Sequence, residues 1–106
     1  MNYRIRPAEE KDIESIHGLI SHYAREGVIL ERSHDDIRAN LENFIVAEDS
    51  GIVIGAATFY DYGETLKEVR SFAIDKRYHG MGIGSSLLKK LIENIDGKNN
   101  TRIFTL

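Results

Sequence analysis

The chain has 106 residues, 42% of them hydrophobic and 29% charged, with a formal net charge of -3 and no cysteine. This length fits one domain over residues 1–106, and the composition argues against disorder. The charge gives no global pull toward nucleic acid, and the missing cysteines exclude disulfides, thiolate metal sites and a cysteine nucleophile. No apolar run approaches the roughly 20 residues that cross a bilayer. The N-terminus carries Arg4, Arg6, Glu9 and Glu10 where a signal peptide would have an apolar segment. The expectation is a cytoplasmic protein with neither nucleic acid nor membrane as partner.

In chain order, the alternation from Tyr3 to Arg6 predicts a first strand, closed by Pro7. Asp12 is placed to cap a helix in which Ile13, Ile16, Leu19, Ile20 and Tyr23 recur at helical spacing, with Gly27 as its stop. Val28 to Arg32 forms a loop with an apolar start and a polar end. Ser33 followed by Asp36 resembles a capping box and predicts a second helix carrying Ile37 and Leu41. Phe44 to Glu48 and Ile52 to Tyr60 read as strands joined by the turn Asp49-Ser50-Gly51. After a loop from Asp61 to Thr65, Leu66 to Ile74 is another strand. Its apolar phase changes between Val69 and Phe72, which predicts a bulge. Gly82 to Ile95 carries Ile83, Leu87, Leu88, Leu91, Ile92 and Ile95 at helical spacing. A turn over Gly97 to Asn100 leads to a last strand over Thr101 to Leu106. The fold class expected is α+β, a mixed and mostly antiparallel sheet flanked by helices.

Gly80, Gly82 and Gly84 stand at alternate positions between the fourth strand and a helix. Small residues there let backbone N–H groups approach an anion, and the helix N-terminus adds about half a positive charge. A phosphate or pyrophosphate is the natural ligand, while the plainer reading is a flexible turn before a helix. A P-loop would need a lysine before Ser85 and Ser86. A dinucleotide fingerprint would need a glycine or alanine where Ser85 or Leu87 stands.

The segment Arg77-Tyr78-His79-Gly80-Met81-Gly82, extended by Ile83-Gly84-Ser85-Ser86-Leu87-Leu88, resembles the Arg/Gln-x-x-Gly-x-Gly/Ala signature of the GNAT superfamily of N-acetyltransferases. Val69-Arg70-Ser71-Phe72-Ala73-Ile74-Asp75 is similar to that family's fourth strand, and the element order agrees along nearly the whole chain. The resemblance implies an acyl-CoA N-acyltransferase fold that uses acetyl-CoA as co-substrate. It implies that backbone N–H groups of Met81, Gly82, Ile83, Gly84 and Ser85 hold the pyrophosphate, with Arg77 and Gly80 in the same motif. It further implies that the backbone of Phe72, Ala73 and Ile74 pairs with the pantetheine arm, and that an N–H there stabilises the oxyanion formed when an amine attacks the thioester. The resemblance implies that such a chain supplies proximity, proton removal and charge stabilisation, with no covalent nucleophile required.

Glu68 and Arg70 share one face of a regular strand. Glu68 is the candidate catalytic residue, removing a proton from the amine directly or through water; otherwise it is an ordinary exposed strand carboxylate. Arg70 is a candidate for binding a substrate carboxylate, or else a solvated charge or a partner for Glu68. Ile29-Leu30-Glu31-Arg32-Ser33 and the strand from Glu68 to Ile74 both resemble N-acetylglutamate synthase-like members of the family. There Arg32 would clamp a carboxylate with its fork of donors, although Glu31 departs from the apolar residue or proline expected beside it. The acceptor implied is a small-molecule or peptide amine. Glutamate leads on the strength of Arg32 and Arg70, with a polyamine or a protein N-terminus as the rival.

His17, His22, His34 and His79 show no metal-ligand spacing along the chain, so no metal is expected. His79 reads as a loop residue, Lys89 and Lys90 as an exposed helix face, and Tyr60 and Tyr62 as sheet-edge packing or pocket lining. GNAT domains usually continue past the fifth strand with a helix and two strands, so the resemblance implies a fold incomplete at its C-terminus. That motivates a different class of function, a non-catalytic CoA-binding or assembly module. In that reading the chain would form a homo-oligomer through the apolar edge Thr101–Leu106, which carries Ile103 and Phe104.

Overall fold

The computed structural model describes residues 3–27, 29, 31–61, 66–95 and 102–105. The loop expected after Asp61, Tyr62 within it, the 97–100 turn, and Val28, Leu30, Thr101 and Leu106 lie outside the described residues, as do the side chains of 102–105.

Strand β1 runs over Tyr3–Pro7, helix α1 over Ile13–Arg25 and helix α2 over His34–Ala39. Strands β2 (Ile45–Asp49), β3 (Ile52–Asp61) and β4 (Leu66–Ile74) follow, then helix α3 (Ile83–Ile95) and strand β5 (Arg102–Thr105). Among the described residues the sheet has the order β1-β2-β3-β4-β5. The first four strands are antiparallel neighbours, and β5 lies parallel to β4. The helix α3 crossover explains the mixed sheet, since a parallel neighbour cannot be reached by a hairpin. The expected class, a mixed and mostly antiparallel sheet flanked by helices, is the one observed.

Two apolar clusters cover the two faces of the sheet. On one face α3 contributes Ile83, Leu87, Leu91 and Ile95, packed on Ile45, Ala47, Ala57 and Val69. On the other, Ile13, Ile16 and Ile20 of α1 and Ile37 of α2 meet Phe44, Val46 and Ala56. The spacings in α1 and α3 are those of one helical face, and the alternation of Ile45 and Ala47 against Val46 is that of a strand buried on both sides.

Gly55 permits the close seating of α3. A Cβ at this position would lie 2.8 Å from Ile74 Cδ1 and 3.1 Å from Leu87 Cδ1. The β2–β3 connection has Ser50 at φ 53° and Gly51 at φ 84°, the paired left-handed residues of a tight hairpin turn.

Two boundary details differ from the sequence expectation. Asp12 donates nothing to capping α1 and accepts no bond from its N–H groups. Its carboxylate accepts instead from the Glu9 N–H at 2.8 Å and from Arg6 Nη1 at 2.7 Å. Helix α2 stops at Ala39, before Leu41, which belongs to a single 3-10 turn. Asn40 ends it by donating its side-chain amide to Thr58 Oγ1 at 2.9 Å, a tertiary bond that the periodicity of Ile37 and Leu41 does not encode. Ser33 caps α2 as expected, accepting from Asp36 N at 3.1 Å.

Candidate active site

The bulge expected in β4 is present. Ala56 pairs with Ala73 and Thr58 with Arg70, so β4 carries one more residue than β3 across this stretch. Ser71 takes it up with φ 54°, a left-handed conformation uncommon for a residue with a side chain. The extra residue is why Val69 and Phe72, three apart, both pack on the α3 side. Beyond the bulge, β4 continues to pair with β3 as far as Ile74, whereas its register with β5 ends at Val69 opposite Thr105. The backbone from Arg70 to Ile74 therefore has one edge outside the described ladder, next to the N-terminus of α3.

That N-terminus is rich in glycine. Gly80 and Gly82 both have φ 80°, with open space where a Cβ would stand, so glycine is required there by conformation. Ser86 N donates to Gly82 O at 3.1 Å, which starts the helical ladder and leaves the preceding N–H groups at the helix end. Met81 is exposed, and Gly84 packs its first turn on β4: a Cβ at 84 would come 3.6 Å from the Phe72 ring. Ser85 is exposed at the same turn, and Ile83 is buried beneath it. The N–H groups at the helix end, the absence of a Cβ at Gly80, Gly82 and Gly84 and the adjoining strand edge fit a pyrophosphate with an extended arm.

Arg77 lies at the base of this loop, folded onto Asp75: its Nη2 donates at 2.8 Å and its backbone N–H at 2.9 Å. The hydrogen bonds from Arg77 hold the Asp75 carboxyl below the usual aspartate range. The end of β4 is tied to α1 by Tyr23, whose hydroxyl donates to the Ile74 carbonyl. His79 Nε2 lies 2.9 Å from the same carbonyl and 3.0 Å from the Tyr23 oxygen. Burial pushes the Tyr23 phenol upward. His79 thus latches the glycine loop to the strand end, a role that its position as a loop residue did not suggest.

On the α1–α2 side of β4, the side chains singled out by sequence come together. Tyr60 pairs with Glu68 and Thr58 with Arg70, so all four stand on one face. Glu68 is 1% exposed and makes an ion pair with Arg70, Oε1 to Nε at 3.5 Å. It is not the exposed strand carboxylate of the plainer reading. Arg32 is also buried; its Nε donates to Ser71 Oγ at 2.6 Å. The Arg32 and Arg70 guanidinium carbons lie 4.2 and 4.8 Å from the centre of the Tyr60 ring.

Tyr60 and Ser71 are the members that sequence reasoning undervalued. The pairing of β3 with β4 is what places Tyr60, and the bulge, expected from the phase of Val69 and Phe72, falls on Ser71, a position that the phase alone does not single out. Glu31, the departure noted beside Arg32, accepts from Ser21 Oγ of α1 at 2.9 Å and so turns toward the helix.

A family model described as the Acetyltransferase (GNAT) family matches residues 9–106. The chain belongs to the GNAT acetyltransferase family. It is 33% identical over 104 residues to an uncharacterized N-acetyltransferase of Chlorobaculum tepidum, covering 96% of this chain and 67% of that protein. It is 31% identical to an amino-acid acetyltransferase of Shewanella oneidensis, covering 97% of this chain but 23% of that one. Among solved structures, the N-acetylglutamate synthase of Neisseria gonorrhoeae in complex with coenzyme A and N-acetyl-glutamate superposes with a TM-score of 0.93. The identity is 27%, over 100% of this chain and 25% of the synthase. A Mycobacterium tuberculosis protein solved with CoA gives a TM-score of 0.90 at 26% identity, over 97% of this chain and 63% of that one. This GNAT chain thus spans about a quarter of the length of the amino-acid acetyltransferase and synthase relatives, and its resemblance to N-acetylglutamate synthase-like members is borne out. Among the described residues no helix is long and apolar enough to cross a membrane.

Proposed function

We propose that this GNAT domain transfers an acetyl group from acetyl-CoA to the amino group of a small carboxylated amine, with an amino acid such as glutamate as the leading acceptor. The observation that carries the reading is the convergence of Arg32, Arg70, Tyr60 and Glu68 beside the β4 bulge. Acetyl-CoA supplies the activated acyl group. The N–H groups of Met81 to Ser85 hold its pyrophosphate, and the free edge of Phe72, Ala73 and Ile74 aligns its arm, with Gly80 and Arg77 shaping the loop. Arg32 and Arg70 orient the acceptor by its carboxylate, since planar guanidinium donors suit that group. Glu68 takes the amine proton, directly or through a water. A cationic polyamine would instead call for a carboxylate-lined pocket.

The test is a panel of amino acids and polyamines incubated with acetyl-CoA, with released thiol as the readout. Glutamate or a close relative should turn over. Arg32→Ala should raise the KM for that acceptor about tenfold or more, from the loss of a charge-assisted bond worth roughly 1.5–3 kcal/mol. Glu68→Gln should lower kcat by about 100-fold or more, the usual scale of general base catalysis. Turnover of polyamines alone would sink the carboxylate reading.

A further inference from the structure

We propose that Glu14, His17 and His34 form a surface site for a transition-metal dication of the zinc class that staples α1 to the first turn of α2. One ligand-type atom from each of the three lies within 4.8 Å of the other two. Glu14 and His17 are three apart on α1 and so share a face. His34 is the first residue of α2. Its ring stacks on that of His17 with centroids 3.8 Å apart and planes 17° from parallel, so one ring turns about its side-chain torsions to bring both nitrogens onto a common ion. His34 Nε2 also lies 3.1 Å from Glu14 Oε2.

The nearby carboxylates are otherwise engaged. Arg38 Nε donates to Glu10 at 2.9 Å and Arg38 Nη1 to Asp35 at 3.4 Å, while Glu31 accepts from Ser21. Glu14 is the carboxylate turned to the imidazoles, and its side chain is 85% exposed, so a metal and its remaining waters have open access.

Two imidazoles and one carboxylate suit zinc, nickel or copper; magnesium and calcium prefer oxygen donors throughout. An ion here replaces the Glu14–His34 contact with bonds to both. It fixes the start of α2, two residues after Arg32. Spacing along the chain hides this arrangement, because His34 reaches His17 only through the packing of the two helices.

Zinc titration of the purified chain, followed by calorimetry and thermal melting, tests the site. One saturable zinc per chain and a raised Tm are expected. Binding should be lost in His17→Ala and His34→Ala, weakened in Glu14→Gln and unchanged in His22→Ala, which removes a histidine outside the cluster. Cobalt should give the visible absorption of a low-coordinate nitrogen and oxygen site in the unaltered chain, independently of how any variant folds. Absence of saturable binding, binding that survives His34→Ala in a folded variant, or equal loss in His22→Ala would overturn the proposal.

Discussion

Arg32 and Ser71 are joined by a 2.6 Å hydrogen bond between the end of the α1–α2 loop and the one β4 residue that adopts a left-handed backbone. The bulge therefore fixes the strand edge on one side and aims a candidate carboxylate-binding arginine on the other. A side chain at φ 54° costs roughly 1–2 kcal/mol, and the bond to a charged donor returns about 1.5–3 kcal/mol. Ser71→Ala keeps the strain and loses the bond; Ser71→Gly loses both. Urea unfolding should rank stability as wild type, then Ser71→Gly, then Ser71→Ala. An alanine variant as stable as the glycine variant would refute this account of the bulge.

Gly82 joins two requirements that mutation can separate. At φ 80° any Cβ is strained by about 1–2 kcal/mol, although nothing stands in its way. Gly82→Asp bears that strain but gains a favourable carboxylate at the start of α3, worth about 1 kcal/mol. It should therefore melt no lower than Gly82→Ala, while binding CoA at least about tenfold more weakly, since one unfavourable charge at the anion site outweighs 1.4 kcal/mol. Gly27→Ala, strained at φ 76° but remote from the loop, should lose stability without losing CoA affinity. Calorimetry on the three variants reads both quantities.

The sequence made the frame legible because its signals are local. Helical spacing placed α1 and α3, the Asp49-Ser50-Gly51 turn placed the hairpin, and the shift from Val69 to Phe72 announced the bulge that Ser71 forms. The family motif marked the loop at Gly80 and Gly82, whose positive φ angles account for it. What escaped depends on contacts between different elements. Asn40 ends α2 through Thr58, Asp12 serves Arg6 and not the helix cap, and Tyr60 matters because β3 pairs it with Glu68. His79 and Tyr23 meet at the Ile74 carbonyl although 56 residues separate them. Arg6 and Asp12 are close in sequence, as are Tyr60 and Glu68, but each pair joins two different elements, so the periodicity within one element does not show it.

Gly55 is a test of packing between β3 and α3. A methyl group there crowds the flexible tips of Ile74 and Leu87, at 2.8 and 3.1 Å, and meets the Ala73 carbonyl at an ordinary 3.5 Å, so Gly55→Ala should be absorbed with a loss of about 1 kcal/mol. Gly55→Val has branches that the rotation of those tips cannot clear, and it should cost about 1–3 kcal/mol. Because Ile74 ends the strand edge proposed for the CoA arm, the valine variant should also bind CoA more weakly. Thermal melts and calorimetry would show whether the two losses travel together; a valine variant with native stability would remove the argument for close seating.

The Arg6–Asp12 pair gives the fold a defined acid weakness. Arg6 reaches Asp12 with both terminal nitrogens, at 2.7 and 3.0 Å, and Glu48 with Nε at 2.8 Å, locking β1, β2 and the start of α1 together. The bond from Arg6 is the main cause that holds the Asp12 carboxyl below its ordinary value of 3.8, and it outweighs the opposing effect of burial. A carboxyl with a depressed folded pKa binds fewer protons in the native state than in the unfolded one. Its contribution is therefore complete above about pH 4, and it is lost as the pH falls through the lower, folded value. Asp12→Asn removes the charge while keeping the shape, so at neutral pH it should cost about 1–3 kcal/mol. Part of that cost is the Arg6 charge, left largely buried with Glu48 as its nearest partner. The difference in stability between wild type and Asp12→Asn should shrink as the pH is lowered below 4, where the wild-type carboxyl takes up its proton. Urea unfolding of both proteins from pH 7 to pH 2 measures this difference directly, and a gap that stays constant down to pH 2 would show that the ion pair contributes nothing through its charge.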